Sequence, residues 1–141
     1  MPKANKDGSA REGEIPETLE RSNQKAQDTF AQTYDSAMDT YDGDESRAAR
    51  TAWAAVKRGH EKVGDHWEAK DEAGPSDERA ERGGVSGGQS HGGVNANATK
   101  AHLYEIAQRL EIDGRSSMTK DELVEAIDQE NQRRTRRASQ D

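Results

Sequence analysis

Apolar residues recur at helical spacing in two separate parts of this chain, with an aperiodic glycine-rich stretch between them. The first part opens at Ile15. There "IPETLE" reads as a short helical turn with Pro16 near its start, where a missing N–H costs little. After Ser22 the residues Ala26, Phe30, Thr33, Tyr34, Ala37, Met38 and Tyr41 share one helix face, and Gly43 supplies the stop. Asp44 suits the cap of a second helix with a stripe of Ala48, Ala49, Ala52, Trp53 and Val56, continuing to His60. Its alanines allow two helices to approach closely, with Trp53 as the bulky anchor. In "EKVGDHWEAK", Gly64-Asp65 stands between Val63 and Trp67. This predicts a tight turn or small hairpin that folds Trp67 back onto the helices.

Residues 71–97 hold six glycines between positions 83 and 93 and no apolar period, which predicts a flexible linker. As a random coil such a segment spans roughly 28 Å, enough to leave the two ends independent. Order is expected again at Thr99. Leu103, Ile106, Ala107 and Leu110 then form one face of a helix, and "EIDGRSS" is an extended connection with Ile112 turned to the core. Thr119 and Glu122 form a T-x-x-E capping box, Met118 and Leu123 a hydrophobic staple, and Leu123, Val124 and Ile127 the next apolar face.

The expected organisation is therefore mainly α. A disordered start at 1–13 precedes a small helical domain at 14–70 and the flexible Gly-rich linker at 71–97. A helix-extended-helix module follows at 98–130, then a basic tail at 131–141 that is free to prolong the helix but is mostly solvated. That module is below the size at which a core usually suffices alone, so its caps must help it, with a partner as a further source of support.

Composition agrees with small islands. Apolar residues are 29% of the 141 and charged residues 35%, too few apolar side chains to offset the ordering of one large domain. The absence of cysteine excludes disulfides and thiolate metal sites. "MPKANKDGSAREGE" lacks the apolar core of a secretory signal, and the longest apolar run, "AWAAV", is far short of a membrane span. A cytoplasmic protein with no integral membrane segment is expected. The net charge of −7 is uneven: 14–72 carries 8 basic and 14 acidic residues, 98–130 carries 4 and 8, and 131–141 has four Arg against one Asp.

Two resemblances sharpen this. "IPETLERSNQKAQDTFAQTYDSAM" followed by "AARTAWAAVKRGHEKV" and "HW" resembles the ChaB family of small bacterial proteins. The resemblance implies a compact helical fold and the label "cation transport regulator". "ATKAHLYEIAQRLEIDGRSSMTKDELVEAI" resembles the N-terminal helix-extended-helix domain of the Rho termination factor and, more distantly, SAP-type motifs. That implies a small nucleic-acid-associated module. No oligonucleotide-binding barrel and no G-x-x-x-x-G-K-[ST] loop follows, so a termination helicase is excluded.

For nucleic acid, the start of the second C-terminal helix offers free N–H groups and a dipole that attract phosphate. Arg115, Ser116, Ser117 and Lys120 lie in that connection or first turn, Lys100 approaches from the preceding helix's start, and Arg133, Arg134, Arg136 and Arg137 add a less ordered contribution. With a net −4 on the module, such binding is expected to be weak and salt-dependent. The bland alternative is that Arg115 and Lys120 only offset neighbouring carboxylates. Tyr104 is an outside candidate for base stacking; Trp53, within the apolar stripe, reads as core, while Trp67, close to His66 and Lys70, is open between core and stacking.

Other chemistries find little. Asp35, Asp39, Asp42, Asp44 and Glu45 gather at a helix end, but Arg47 occupies the glycine position that a calcium loop starting at Asp42 needs. His60, His66, His91 and His102 have no ligand spacing, although His60 and His66 flank a turn and could meet. No metal site, no cofactor and no catalytic constellation is expected, hence a non-enzymatic accessory protein. The helical domain's expected partner is an unidentified protein. The alternative is a cation antiporter regulator whose acidic 35–45 face docks on a basic surface, with no role for nucleic acid.

Overall fold

The computed structural model describes residues 2–70 and 92–140 and is mainly α among them. α1 (Glu17–Glu20) follows Pro16, and α2 (Gln24–Thr40) is capped by Asn23, whose side chain accepts the Ala26 amide at 2.8 Å. α3 (Glu45–Gly59) is capped by Asp44, which accepts the Arg47 amide at 3.1 Å. Between them the chain reverses at Asp42 and Gly43, both at positive φ. Ala26, Phe30, Ala31 and Ala37 of α2 and Ala48, Ala52 and Val56 of α3 are buried, while Tyr34 and Trp53 lie at the edge of that core. The small residues let the helices close up, and Phe30 meets Trp53 edge-on at 5.0 Å.

The hairpin forms as the Gly64-Asp65 pair predicts. β1 (His60–Val63) and β2 (His66–Ala69) are antiparallel, with His60 opposite Ala69 and Val63 opposite His66. Gly64 takes φ 69°, which suits glycine at the first central position of a two-residue turn. The hairpin swings Trp67 into the α-helical core. Its indole N–H donates to Thr18 Oγ1 at 3.3 Å and its backbone N–H to Ser22 Oγ at 2.8 Å.

α4 (Lys100–Arg109) starts from Thr99, which accepts the His102 amide. Leu103, Ile106, Ala107 and Leu110 are all buried, as their spacing predicts. The extended connection turns at Glu111 and Gly114, both at positive φ, into a short 3-10 helix, Arg115–Ser117. α5 (Lys120–Gln140) begins with the capping box: Thr119 N–H donates to Glu122 Oε1 at 3.0 Å and Glu122 N–H to Thr119 Oγ1 at 3.2 Å. Leu123, Val124 and Ile127 are buried against α4.

The structure differs from the sequence reading at both ends and in the middle. Residues 2–13 are held on α2 in place of the disordered start expected there. Asp35 accepts the amides of Lys3 and Ala4, Asp28 accepts that of Ala10, and Ala4 bridges Ala10. Of the linker, 71–91 lie outside the described residues, His91 among them. Residues 92–97 are seated: Val94 is 1% exposed, Gly93 O accepts the Lys62 amide at 3.0 Å, and a Cβ at Gly93 would overlap the Trp67 ring.

The basic tail is the C-terminal half of α5. Val124, Ile127, Asn131 and Arg134 continue one face at 3/4 spacing, and Asn131 is fully buried. The sequence leaves room for this continuation of the helix; what its polarity hid is the burial of Asn131.

Nor are the two islands independent. The second core contains Val63 from the hairpin and Val94 from the seated strap, beside Leu103, Ile106, Leu110, Leu123 and Ile127. The partner that so small a module needs is the chain's own hairpin.

Candidate nucleic-acid interface

The extended connection runs back along α4, so that Arg115 comes to the side of Tyr104, its guanidinium 5.9 Å from the ring centroid. Lys100 stands one helical turn before Tyr104 on α4 and so approaches the same side. Arg115 is half-buried and donates Nη1–H to Ile112 O at 2.9 Å, while its Nε is buried without a partner among the described residues. Its guanidinium therefore helps hold the connection, and among the described residues no carboxylate pairs with it. Ser116 and Ser117 are exposed, and their hydroxyls and the ammonium groups of Lys100 and Lys120 make no hydrogen bond or ion pair among the described residues. Tyr104 is half-buried against the core, which leaves less ring face for stacking than its position off the apolar stripe suggests.

The helix start is less open than the sequence reading assumes. The Glu122 carboxylate already occupies the N-terminal end of α5, and its bonds from the Thr119 amide and hydroxyl hold its pKa below the ordinary glutamate value. The amides of Lys120 and Asp121 remain. A phosphate there would meet the lysine, the two serines and the edge of Arg115 more than the helix dipole.

The four arginines of α5 do not converge on that edge. At 1.5 Å per residue, Arg134 lies about 21 Å along the helix from Lys120. Arg133 is paired with Glu130 at 2.5 and 2.9 Å. Arg134 donates to Leu110 O at 2.9 Å and reaches Glu130 at 3.5 Å. Arg136 and Arg137 are exposed. The sequence-derived set is thus two patches at opposite ends of α5.

What periodicity did not disclose is the polar seam that joins hairpin to module. Glu61, only 4% exposed, accepts from His102 Nε2 at 2.9 Å. Glu68 accepts two bonds from Arg109, at 2.6 and 2.9 Å. Asn131 Nδ2 donates to Lys62 O at 2.9 Å, and its Oδ1 accepts the Gly64 amide at 2.6 Å. Each pair lies more than 40 residues apart in the chain, so local spacing carries no trace of it. The one signal was a lone asparagine on the buried face of a helix.

Trp67, 4% exposed, is core rather than a stacking platform. His60 and His66 do not meet: His66 lies between Asp65 and Glu68, while His60 is buried and its Nδ1–H donates to Val56 O at 3.3 Å. Among the described residues no group of three or more His, Cys, Asp or Glu could hold a metal ion. Asp35 and Asp44 are engaged by backbone amides.

Acid should loosen this arrangement in two stages. Burial lowers the pKa of His60 from 6.5, so above 6.5 its full contribution is present. Below 6.5 the unfolded chain takes up a proton that the folded one resists, and stability falls. The Arg109 bonds lower Glu68 from 4.5, and that contribution is lost as pH falls below 4.5 through the folded value. The melting temperature should decline in both ranges, and His60→Gln should abolish only the upper decline. A single decline confined to the carboxylate range would refute the His60 part.

Residues 15–70 match the ChaB family model, and residues 98–134 match the model of the Rho termination factor, N-terminal domain. No curated protein and no solved structure was found to match the chain. Among the described residues no helix is long and apolar enough to cross a membrane.

Proposed function

We propose that this chain, in which a ChaB domain is joined to a Rho termination factor N-terminal domain, is a non-enzymatic, cytoplasmic accessory protein that binds nucleic acid weakly through its C-terminal module. The ChaB domain recognises or regulates a protein partner. The observation that carries the reading is the edge from Arg115 to Lys120. Its two serines and its lysine are unengaged among the described residues, and the docked hairpin contacts other parts of the module.

The test is binding of the full chain to single-stranded RNA and to duplex DNA across a salt titration. The isolated module is a poor reagent, because Val63 and Val94 complete its core. Binding that weakens steeply with salt is expected, and Lys120→Gln should lower the affinity and flatten the salt dependence by about one phosphate contact. Failure of the full chain to bind either polymer at low salt would remove the proposal.

A second reading, regulation of a cation antiporter through protein contact, draws on the exposed acidic end of the ChaB domain. Asp39, Asp42 and Glu45 make no ion pair there among the described residues. Asp35 is taken up by the N-terminal segment, so that face is smaller than the sequence suggests. A pull-down with and without nuclease separates the readings: partners lost on nuclease treatment favour the first, a transporter retained favours the second.

A further inference from the structure

We infer that the seam between the hairpin turn and the last turns of α5 is a phosphate-binding cleft, in which Arg21 of the ChaB domain joins Arg134 and Arg137 on a nucleic-acid backbone. This rests on the nucleic-acid reading above and adds to it a second contact surface shared by both domains. The cleft has a volume of about 290 Å3 and is lined by Asp65, Arg134, Arg137 and Ala138. That is at the lower bound of about 300 Å3 for ordinary ligand sites, so a phosphate group suits it better than a large organic molecule.

The charges are arranged so that the guanidinium groups are positioned without being fully neutralised. Arg134 makes its short bond, 2.9 Å, to the carbonyl of Leu110, and its carboxylate partner Glu130 is at 3.5 Å and shared with Arg133. Arg21 likewise donates Nε–H to the carbonyl of Asp65 at 2.9 Å, with carboxylates only at 3.5 and 3.9 Å. Arg137 has no hydrogen bond or ion pair among the described residues. The one acidic group in the lining, Asp65, is occupied by Arg21 and by His66 at 3.1 Å.

A further contact keeps the two sides together. Ser139 Oγ donates to Glu17 Oε2 at 2.8 Å, which ties the end of α5 to α1, the helix just before Arg21. A guanidinium held by carbonyls is pre-aimed and still cationic, which suits bidentate phosphate recognition. Ala138 is the one apolar residue of a lining otherwise made of Asp65, Arg134 and Arg137, too small a patch for an acyl chain or an amphipathic helix. Arg136, exposed on the same turns, extends the cationic strip along a polymer.

The experiment is the full-chain salt titration with Arg21→Gln, Arg137→Gln and Lys120→Gln side by side. Arg21→Gln and Arg137→Gln should each weaken binding several-fold and reduce the slope of log affinity against log salt by about one. Arg137 has no partner to lose, so Arg137→Gln decides the matter even where Arg21→Gln disturbs folding. If both arginine variants keep the parent affinity and slope while Lys120→Gln weakens binding, the cleft is overturned and the leading-edge reading survives. If the parent chain binds nothing, both fall.

Discussion

Cutting Trp67 back to alanine is expected to lower the stability of the folded chain by about 3–5 kcal/mol, the range for removing a buried large aromatic. The side chain is 4% exposed and packs with Ile15, Leu19, Phe30 and Val56, its ring centroid 5.4 Å from that of Trp53. Its ring also lies directly against Gly93, whose neighbour Val94 belongs to the second core. The loss should therefore reach both cores. Chemical denaturation followed by circular dichroism should show one transition at lower denaturant, and hydrogen exchange should quicken in α4 as well as α2. Trp67→Phe keeps part of the apolar contact but loses the bond to Thr18 and the outer part of the ring, so it should recover only part of the stability. A loss below about 1 kcal/mol in the alanine variant, or exchange confined to residues 15–70, would contradict this account.

The sequence disclosed the parts of the fold that depend on near neighbours. Helix stripes, the Asp44 cap, the Thr119–Glu122 box and the Gly64-Asp65 turn are set by residues at most four apart, and all stand in the structure. Docking of hairpin on module was not legible, for a physical reason. Its carriers are polar groups paired across more than 40 residues, Glu61 with His102, Glu68 with Arg109 and Asn131 with the Gly64 turn.

At the C-terminus composition was right about most positions and missed two. "NQRRTRR" reads as solvated, whereas Asn131 is buried and Arg134 reaches the carbonyl end of α4. At the candidate site the sequence put Arg115, Ser116, Ser117 and Lys120 in the connection and first turn before the last helix, which is where they lie. The capping box it placed at Glu122 forms, and that carboxylate takes up the helix start that a phosphate would otherwise meet, while the four arginines lie on the far half of α5.

Docking has a consequence for function. If the ChaB domain and the module share a core, a protein bound to the first and a nucleic acid bound to the second act on one folded body. Each can then alter the other's affinity only so far as it favours the docked or the undocked arrangement. The strength of the docking contacts therefore sets the scale of any such coupling.

Asn131 is the residue through which that strength is best measured, and Asn131→Ala is expected to cost about 2–4 kcal/mol. The side chain is fully buried and makes two bonds to the hairpin, from Gly64 N–H to Oδ1 at 2.6 Å and from Nδ2 to Lys62 O at 2.9 Å. Alanine would leave a buried backbone donor and acceptor without partners, each a penalty of about 1–3 kcal/mol. The better helix propensity of alanine returns at most about 0.7 kcal/mol, so the polar loss wins. Asn131→Asp separates the two bonds: a carboxylate can accept from Gly64 but faces the Lys62 carbonyl with no donor, and it brings a buried charge. It should therefore be no better than alanine at neutral pH and should improve on acidification, when the carboxyl regains a proton to donate. Exchange of the Gly64 amide reports the contact directly. If Asn131→Ala leaves that amide protected and the melting temperature unchanged, the two domains are merely tethered, and no coupling between their partners should be sought.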